Sequence, residues 1–99
     1  MKAIEANTKV NPSNYYQAAS YYFETGRDLK QALAWINLSL QDESNRNAYW
    51  ILHQKAKIQK ALGDKKGAIE SATASLNSAR QAQNRDYQNM NQDLIKSLQ

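Results

Sequence analysis

The sequence contains no cysteine, 1 histidine, 1 proline and 3 glycines in 99 residues. Without cysteine there is no disulfide, no thiolate metal site and no cysteine nucleophile. A zinc or iron site would have to be built almost wholly from carboxylates around His53, and the carboxylates are scattered through the chain, so we expect no metal and no cofactor. The scarcity of glycine and proline favours long helices joined by short loops.

Long apolar runs are also missing. The absence of about 18 consecutive apolar residues predicts no membrane span, and this chain shows no basic-then-apolar leader of the signal-peptide kind. The adjacent Asp42 and Glu43 lie in a polar stretch without a histidine or lysine partner, so paired acid/base chemistry has no scaffold and we predict that the chain is not an enzyme.

The positive charge is modest. A net charge of +4 mildly favours acidic partners. Nucleic acid is disfavoured for the lysine cluster, because on a helix these side chains point around the axis, without tyrosine or tryptophan interleaved as a stacking platform. The cluster consists of Lys55, Lys57, Lys60, Lys65 and Lys66.

Apolar residues recur at spacings of three and four in five segments, which predicts an all-α fold. Residues 1–11 are predicted to be an N-terminal arm. Asn11-Pro12 opens the first helix and Gly26 ends it. Asp28 caps the second helix, Gly63 ends the third and Asp64 caps the fourth. The predicted segments are 12–25, a second helix reaching about 41, a polar loop at 42–46, a third helix up to Gly63, a fourth after Asp64, a polar break at 83–86 and a final helix at 86–98.

The first two helices resemble the next two. Ala19 and Gly26 match Ala56 and Gly63 at an offset of 37 residues, and Leu40 matches Leu76 at an offset of 36. An internal period near this length, with two helices and a glycine turn in each unit, indicates a helical repeat. We therefore divide residues 12–98 into repeat one at 12–41, repeat two at 47–82 and a capping helix at 86–98.

The repeat is similar to the tetratricopeptide repeat (TPR). The residues that carry this resemblance are Tyr15, Ala18, Ala19, Tyr22, Gly26, Ala32, Ile36 and Leu40 in the first unit, and Leu52, Ala56, Gly63, Ala68, Ala72 and Leu76 in the second. The resemblance implies an antiparallel helix-pair solenoid of about five helices that binds extended peptides on the face lined by the first helix of each pair. The chain departs from the pattern in an extra residue at 27–31, a longer loop between the units and polar Lys55 and Gln59 at places that are usually apolar or aromatic.

A second resemblance is to the helical C-terminal region of a bacterial family of unknown function. It is carried by the segments 15–19, 31–37, 55–59 and 63–69. In that family a β-rich domain, usually behind a signal peptide, precedes the helices. The resemblance implies that this chain is part of a larger exported or periplasmic protein, and it brings no catalytic residues.

The candidate groove combines residues of the first and third helices. Trp50, His53, Lys57 and Lys60 fall on the side of the third helix away from its apolar stripe. On the first helix, the residues that share a face are Tyr16, Ser20 and Phe23. Together these side chains are predicted to hold a protein segment or peptide with acidic groups. The alternative is that the third-helix residues form a solvated face, with Trp50 packed on a neighbouring helix.

The TPR form that clamps a terminal carboxylate is a poor match. Tyr16 and Ser20 stand where that clamp has a lysine and an asparagine. We therefore do not predict a receptor for chaperone tails.

A second candidate surface lies on the second helix. Trp35 and Leu38 face away from the centre of its apolar stripe, so they are candidate contacts with a second copy of the chain or with a missing N-terminal domain. The alternative is that the third helix covers Trp35 and leaves Leu38 singly exposed.

The sequence therefore favours a non-catalytic protein-interaction module of TPR type. The alternative is a structural or dimerisation appendage that stabilises a β-rich domain and has no ligand of its own. The identity of the partner does not follow from the residues.

Overall fold

The structure, a computed structural model, describes residues 14–99, and every regular element within that range is helical. The helices are α1 Tyr15–Glu24, α2 Leu29–Gln41, α3 Tyr49–Ala61, α4 Lys65–Gln81 and α5 Arg85–Leu98. The all-α prediction with five helices is confirmed. The predicted arm and the helix start at Asn11-Pro12 lie outside the described residues.

Side-chain caps fix the starts of three helices. The predicted caps are confirmed: Asp28 Oδ1 accepts from the Gln31 backbone N–H at 3.1 Å, and Asp64 Oδ1 accepts from the Gly67 N–H at 2.9 Å. Asn84 caps α5 in the same way by accepting from the Tyr87 N–H at 3.0 Å. Each cap satisfies a backbone donor that has no partner within the helix, so the chain can restart a helix directly after a turn.

The turns after α1, α3 and α4 close with the same backbone hydrogen bond. The N–H groups of Arg27, Asp64 and Asn84 donate to carbonyls five residues earlier, at 2.8, 2.9 and 2.8 Å. The residue before each donor is left-handed: Gly26 has φ +69°, Gly63 has φ +86° and Gln83 has φ +59°. The first two were expected from the glycines. The third lacks a glycine, and the sequence predicted there only a polar break.

The connection between α2 and α3 is different. Asp42 accepts from the Ser44 backbone N–H at 3.0 Å and opens a short 3₁₀ helix at Glu43–Asn45. Ala48 then precedes α3 without a side-chain cap. The predicted polar loop therefore contains one tight helical turn.

Each helix packs mainly on the next one in the chain, and α3 also contacts both α1 and α5. The described residues extend over 42 × 28 × 18 Å, so the array is longer than it is thick. An apolar core lies among α1, α2 and α3. Its buried members are Ala19, Ala32, Trp35, Ile36, Ala48, Ile51 and Ile58. Alanines here let the helices approach closely around the larger Trp35 and Ile36.

The interior around α4 is made mostly of small and polar residues, with Leu76 as the larger apolar side chain. Its buried positions on α4 are Ala68, Ser71, Ala72, Ser75, Leu76, Ser78 and Ala79. Several of these side chains bond across helices: Ser71 Oγ donates to Gln59 Oε1 at 2.6 Å, and Ser75 Oγ donates to the Tyr49 carbonyl at 2.7 Å. These contacts between helices satisfy polar groups that would otherwise be costly to bury.

Candidate functional site

A pocket of about 390 Å³ opens where α1, α3 and α5 meet. Phe23 of α1 and Leu94 of α5 supply apolar walls, and α3 supplies Lys57, Lys60 and Ala61. The pocket exists because α3 contacts both of the other helices. The structure therefore brings together three of the predicted groove residues, Phe23, Lys57 and Lys60.

The two lysines are held by neighbouring side chains. Lys57 Nζ lies 5.6 Å from the centroid of the Phe23 ring, within the range of a cation–π contact. Lys60 Nζ donates to Ser97 Oγ at 3.1 Å. Both partners are uncharged, so neither of them neutralises the positive charge of its lysine.

Ser20 and Tyr16 lie on the same face and have structural contacts. Ser20 Oγ accepts from Gln54 Nε2 at 3.0 Å, which links α1 to α3. Tyr16 is half-buried and packs against the apolar core. Neither residue lines the pocket of Phe23 and Leu94.

His53 is buried, with 6% of its surface exposed, and its predicted position on an open face of α3 is wrong. The reason is the path of α5: Asn91, which is itself 0% exposed, places its Oδ1 2.7 Å from His53 Nδ1. The Tyr87 ring packs edge-on against the imidazole at a centroid distance of 5.5 Å. His53 is therefore an interface residue between α3 and α5 in this structure.

The hydrogen bonds of Asn91 fix the roles of its partners. Asn91 Nδ2 donates to the Tyr87 carbonyl and to Ser75 Oγ, both at 2.8 Å. Because a carbonyl can only accept, the amide nitrogen faces Tyr87, and Oδ1 accepts from His53. His53 Nδ1 therefore carries the proton.

Burial lowers the pKa of His53 below its ordinary value, and this effect is larger than the opposing hydrogen bond to Asn91. The positive charge of Lys57 lowers the pKa further. Desolvation disfavours the charged imidazolium, so His53 stays neutral at pH 7. It supplies no positive charge to the groove.

Trp50 lies apart from the lysine pocket. Its ring is 40% exposed and stacks edge-on against Tyr49 at a centroid distance of 5.1 Å. It lines a different pocket, of about 410 Å³, that lies between the loop after α2 and the end of α4 and includes Asn47 and Gln81. The residues of the predicted continuous strip therefore do not share one surface: Trp50 lines one pocket, Lys57 and Lys60 line another, and His53 is buried.

The predicted partner surface on α2 is reduced to one residue. Trp35 is 2% exposed and packs edge-on against Tyr22 at a centroid distance of 4.7 Å. It belongs to the same core cluster as Ile51 and Ile58 of α3, so its prediction as a partner contact is wrong. Leu38 is 40% exposed, as the alternative expected.

Sequence reasoning missed the contribution of α5 to the pocket. Leu94 and Ser97 were assigned only to a capping helix. A signal was present: Ser20, Lys57 and Leu94 follow one another at intervals of 37 residues, and so do Phe23, Lys60 and Ser97. Extending the repeat period to α5 would have placed both residues beside the two lysines.

Within residues 14–99 no three histidine, cysteine, aspartate or glutamate side chains come together in an arrangement that would hold a metal ion. None of the described helices has the length and apolar character needed to cross a bilayer. Comparison with family models, with curated proteins and with solved structures gives no match to this chain.

Proposed function

We infer that this chain is a non-catalytic protein-interaction module of the tetratricopeptide type, and that its pocket between α1, α3 and α5 binds a peptide. The observation that carries this proposal is the convergence of Phe23, Lys57, Lys60 and Leu94 on one opening. The ligand is a segment in which an apolar side chain neighbours acidic groups. The second family resemblance adds the expectation that the chain is part of a larger, exported bacterial protein.

The order of helix contacts supports the TPR part of the proposal. Every helix packs on its successor, and the odd-numbered helices α1, α3 and α5 contact one another through α3. Three turns share one backbone hydrogen-bonding pattern. In a solenoid of helix pairs, the first helices of successive pairs form one continuous layer, and that layer carries the ligand surface.

The chemistry of the pocket supports the ligand class. Phe23, Ala61 and Leu94 offer apolar surface for a single side chain, and about 390 Å³ is enough space for it. The ammonium groups of Lys57 and Lys60 form charge-assisted hydrogen bonds with carboxylates. An acidic residue beside the buried apolar one would reach them, and a basic residue there would be repelled.

The test uses charge reversal of the two pocket lysines. Lys57→Glu with Lys60→Glu should abolish binding of fluorescein-labelled peptides in which one leucine is flanked by glutamates, measured by fluorescence anisotropy. The same peptides with lysines in place of the glutamates should not bind to the unaltered chain. Far-UV circular dichroism should be the same for both proteins, because neither lysine lies in the apolar core.

A matched control is available on α4. Lys65 and Lys66 are exposed residues of its first turn and lie outside the pocket. Lys65→Glu with Lys66→Glu changes the net charge equally and should leave peptide binding intact. Undiminished binding in the pocket variant, or an equal loss in the α4 control, would remove the groove as the binding site.

The alternative function, an appendage that stabilises or dimerises a β-rich domain, would use the exposed face of α2. Its specific support is Leu38, which is 40% exposed on that face. Burial of Trp35 leaves this surface little apolar area for docking. Sedimentation equilibrium separates the cases: a strict monomer at high concentration excludes the homodimer, and Leu38→Lys should dissociate a dimer built on α2.

A further inference from the structure

The turn between α4 and α5 has a glutamine at the place where the two equivalent turns have glycine. Gln83 adopts φ +59°, beside +69° for Gly26 and +86° for Gly63. A residue with a Cβ atom is less stable than glycine in this conformation. Keeping a side chain at position 83 therefore lowers the stability of the turn, and such departures from a local rule occur at functional sites.

The Gln83 side chain lines a pocket of about 620 Å³. The other lining residues are Arg80 at the end of α4 and Arg85, Gln88 and Asn89 at the start of α5. All five carry side-chain N–H donors, two are guanidinium groups and none is a carboxylate. The lining thus provides two positive charges with no negative charge to neutralise them.

The arginines are not needed to complete the end of α4. Three of its last four carbonyls already accept backbone N–H groups: Ser78 accepts from Ala82 at 3.0 Å, Ala79 from Asn84 at 2.8 Å, and Arg80 from Gln83 at 3.1 Å. A cation near a helix C-terminus commonly serves these carbonyls, but here the turn itself does so. The guanidinium groups remain available for a ligand.

We propose that this pocket binds a small molecule that carries a diphosphate or triphosphate group. Arginine presents a planar pair of donors that matches two phosphate oxygens, and two arginines match a ligand with more than one phosphate. The amides of Gln83, Gln88 and Asn89 supply further donors for oxygens. The volume is that of a small-molecule site, and no lining residue is shared with the peptide pocket, so this proposal does not depend on the groove.

The experiment titrates the full chain with sodium pyrophosphate and with ATP, each without metal and at constant ionic strength, by isothermal titration calorimetry. Both should give saturable binding, and ¹H–¹⁵N correlation spectra should show shifts concentrated at residues 80–89. Arg80→Gln with Arg85→Gln should weaken binding roughly tenfold or more, because charge-assisted hydrogen bonds are lost. Gln83→Gly preserves the turn and should weaken binding by a smaller factor.

Lys65→Gln with Lys66→Gln removes the same charge at another place and should leave the affinity unchanged. The absence of saturable binding, an equal loss in the lysine variant or shifts spread over the whole chain would overturn the proposal. The proposal would also be overturned if a single-stranded oligonucleotide bound more tightly than ATP and lost affinity equally in the arginine variant and in the lysine variant. That outcome would indicate general attraction of polyanions to a positively charged surface.

Discussion

The interior between α1, α2 and α3 and the interior between α3, α4 and α5 are filled by different kinds of side chain. In the first, Trp35, Ile36 and Ile58 pack against alanines and against the rings of α1. In the second, Asn91 and Ser75 are fully buried and joined by a hydrogen bond. Apolar contacts tolerate small shifts of one helix along another, whereas hydrogen bonds hold specific atoms together.

The difference matters for the peptide pocket, because its walls come from both parts of the molecule. The Phe23 wall of the peptide pocket belongs to the apolar part, while Leu94 and Ser97 are positioned by α5, which is fixed to α3 by His53 and Asn91. Gln59, at a place where the tetratricopeptide pattern has an apolar or aromatic residue, is buried and accepts from Ser71. In this second part buried polar pairs stand beside the apolar Ala72, Leu76 and Ala79, and the His53–Asn91 pair links α5 to α3.

The largest expected effect is the loss of the central aromatic side chain of the apolar part. Trp35→Ala should destabilise the chain by about 3–5 kcal/mol, because it removes a buried aromatic ring and leaves a cavity beside Tyr22. This is a large share of the roughly 5–15 kcal/mol typical of a domain. Urea denaturation followed by circular dichroism measures it.

Leu38→Ala on the exposed side of the same helix is the control, and it should cost less than about 0.5 kcal/mol. A small effect of Trp35→Ala would show that the first interior is not held mainly by apolar burial.

The next effect concerns the polar part. Asn91→Leu should cost about 1–3 kcal/mol, because the His53 Nδ1–H loses its acceptor and remains buried. The His53→Leu/Asn91→Leu double variant should cost less than the sum of the two single variants, since replacing both partners leaves neither of the two side chains unpaired. Denaturation midpoints of the four proteins complete the cycle. Additive costs would mean that the hydrogen bond does not couple α3 to α5.

The smallest expected effect is a dependence of the free energy of unfolding on pH, and it comes from His53 in the polar part. His53 is the sole histidine, and burial lowers its pKa in the folded chain below the unfolded value of 6.5. At a pH above the unfolded pKa, His53 is neutral in both the folded and the unfolded chain, and its contribution to the free energy of unfolding is fully present. As the pH falls below about 6.5 the unfolded chain takes up a proton first, so stability decreases until the folded pKa is passed.

Urea midpoints measured from pH 7.5 down to pH 5 should therefore fall for the unaltered chain and stay flatter for His53→Gln. A midpoint that rises on acidification would show that the folded chain binds the proton more tightly than the unfolded chain.

Local patterns in the sequence were sufficient for the helices and for most of their ends. The spacing of apolar residues gives five helices, because a helix that buries one face needs that period wherever it lies in the fold. Asp28 and Asp64 act as caps and Gly26 and Gly63 as left-handed turn residues because these roles depend on neighbours within a few positions. Lys57, Lys60 and Phe23 line one pocket in the structure, and the face of each helix is the part of their prediction that local periodicity supplies.

The tertiary structure alone decided which faces are covered. Periodicity shows that His53 shares a side with Lys60, but the position of α5 determines that Asn91 buries the histidine and that Leu94 completes the pocket. The same holds for Trp35, whose side of α2 was open to two interpretations until α3 was placed against it. Local sequence specifies a helix and its faces, whereas the burial of a face depends on where distant segments of the chain pack.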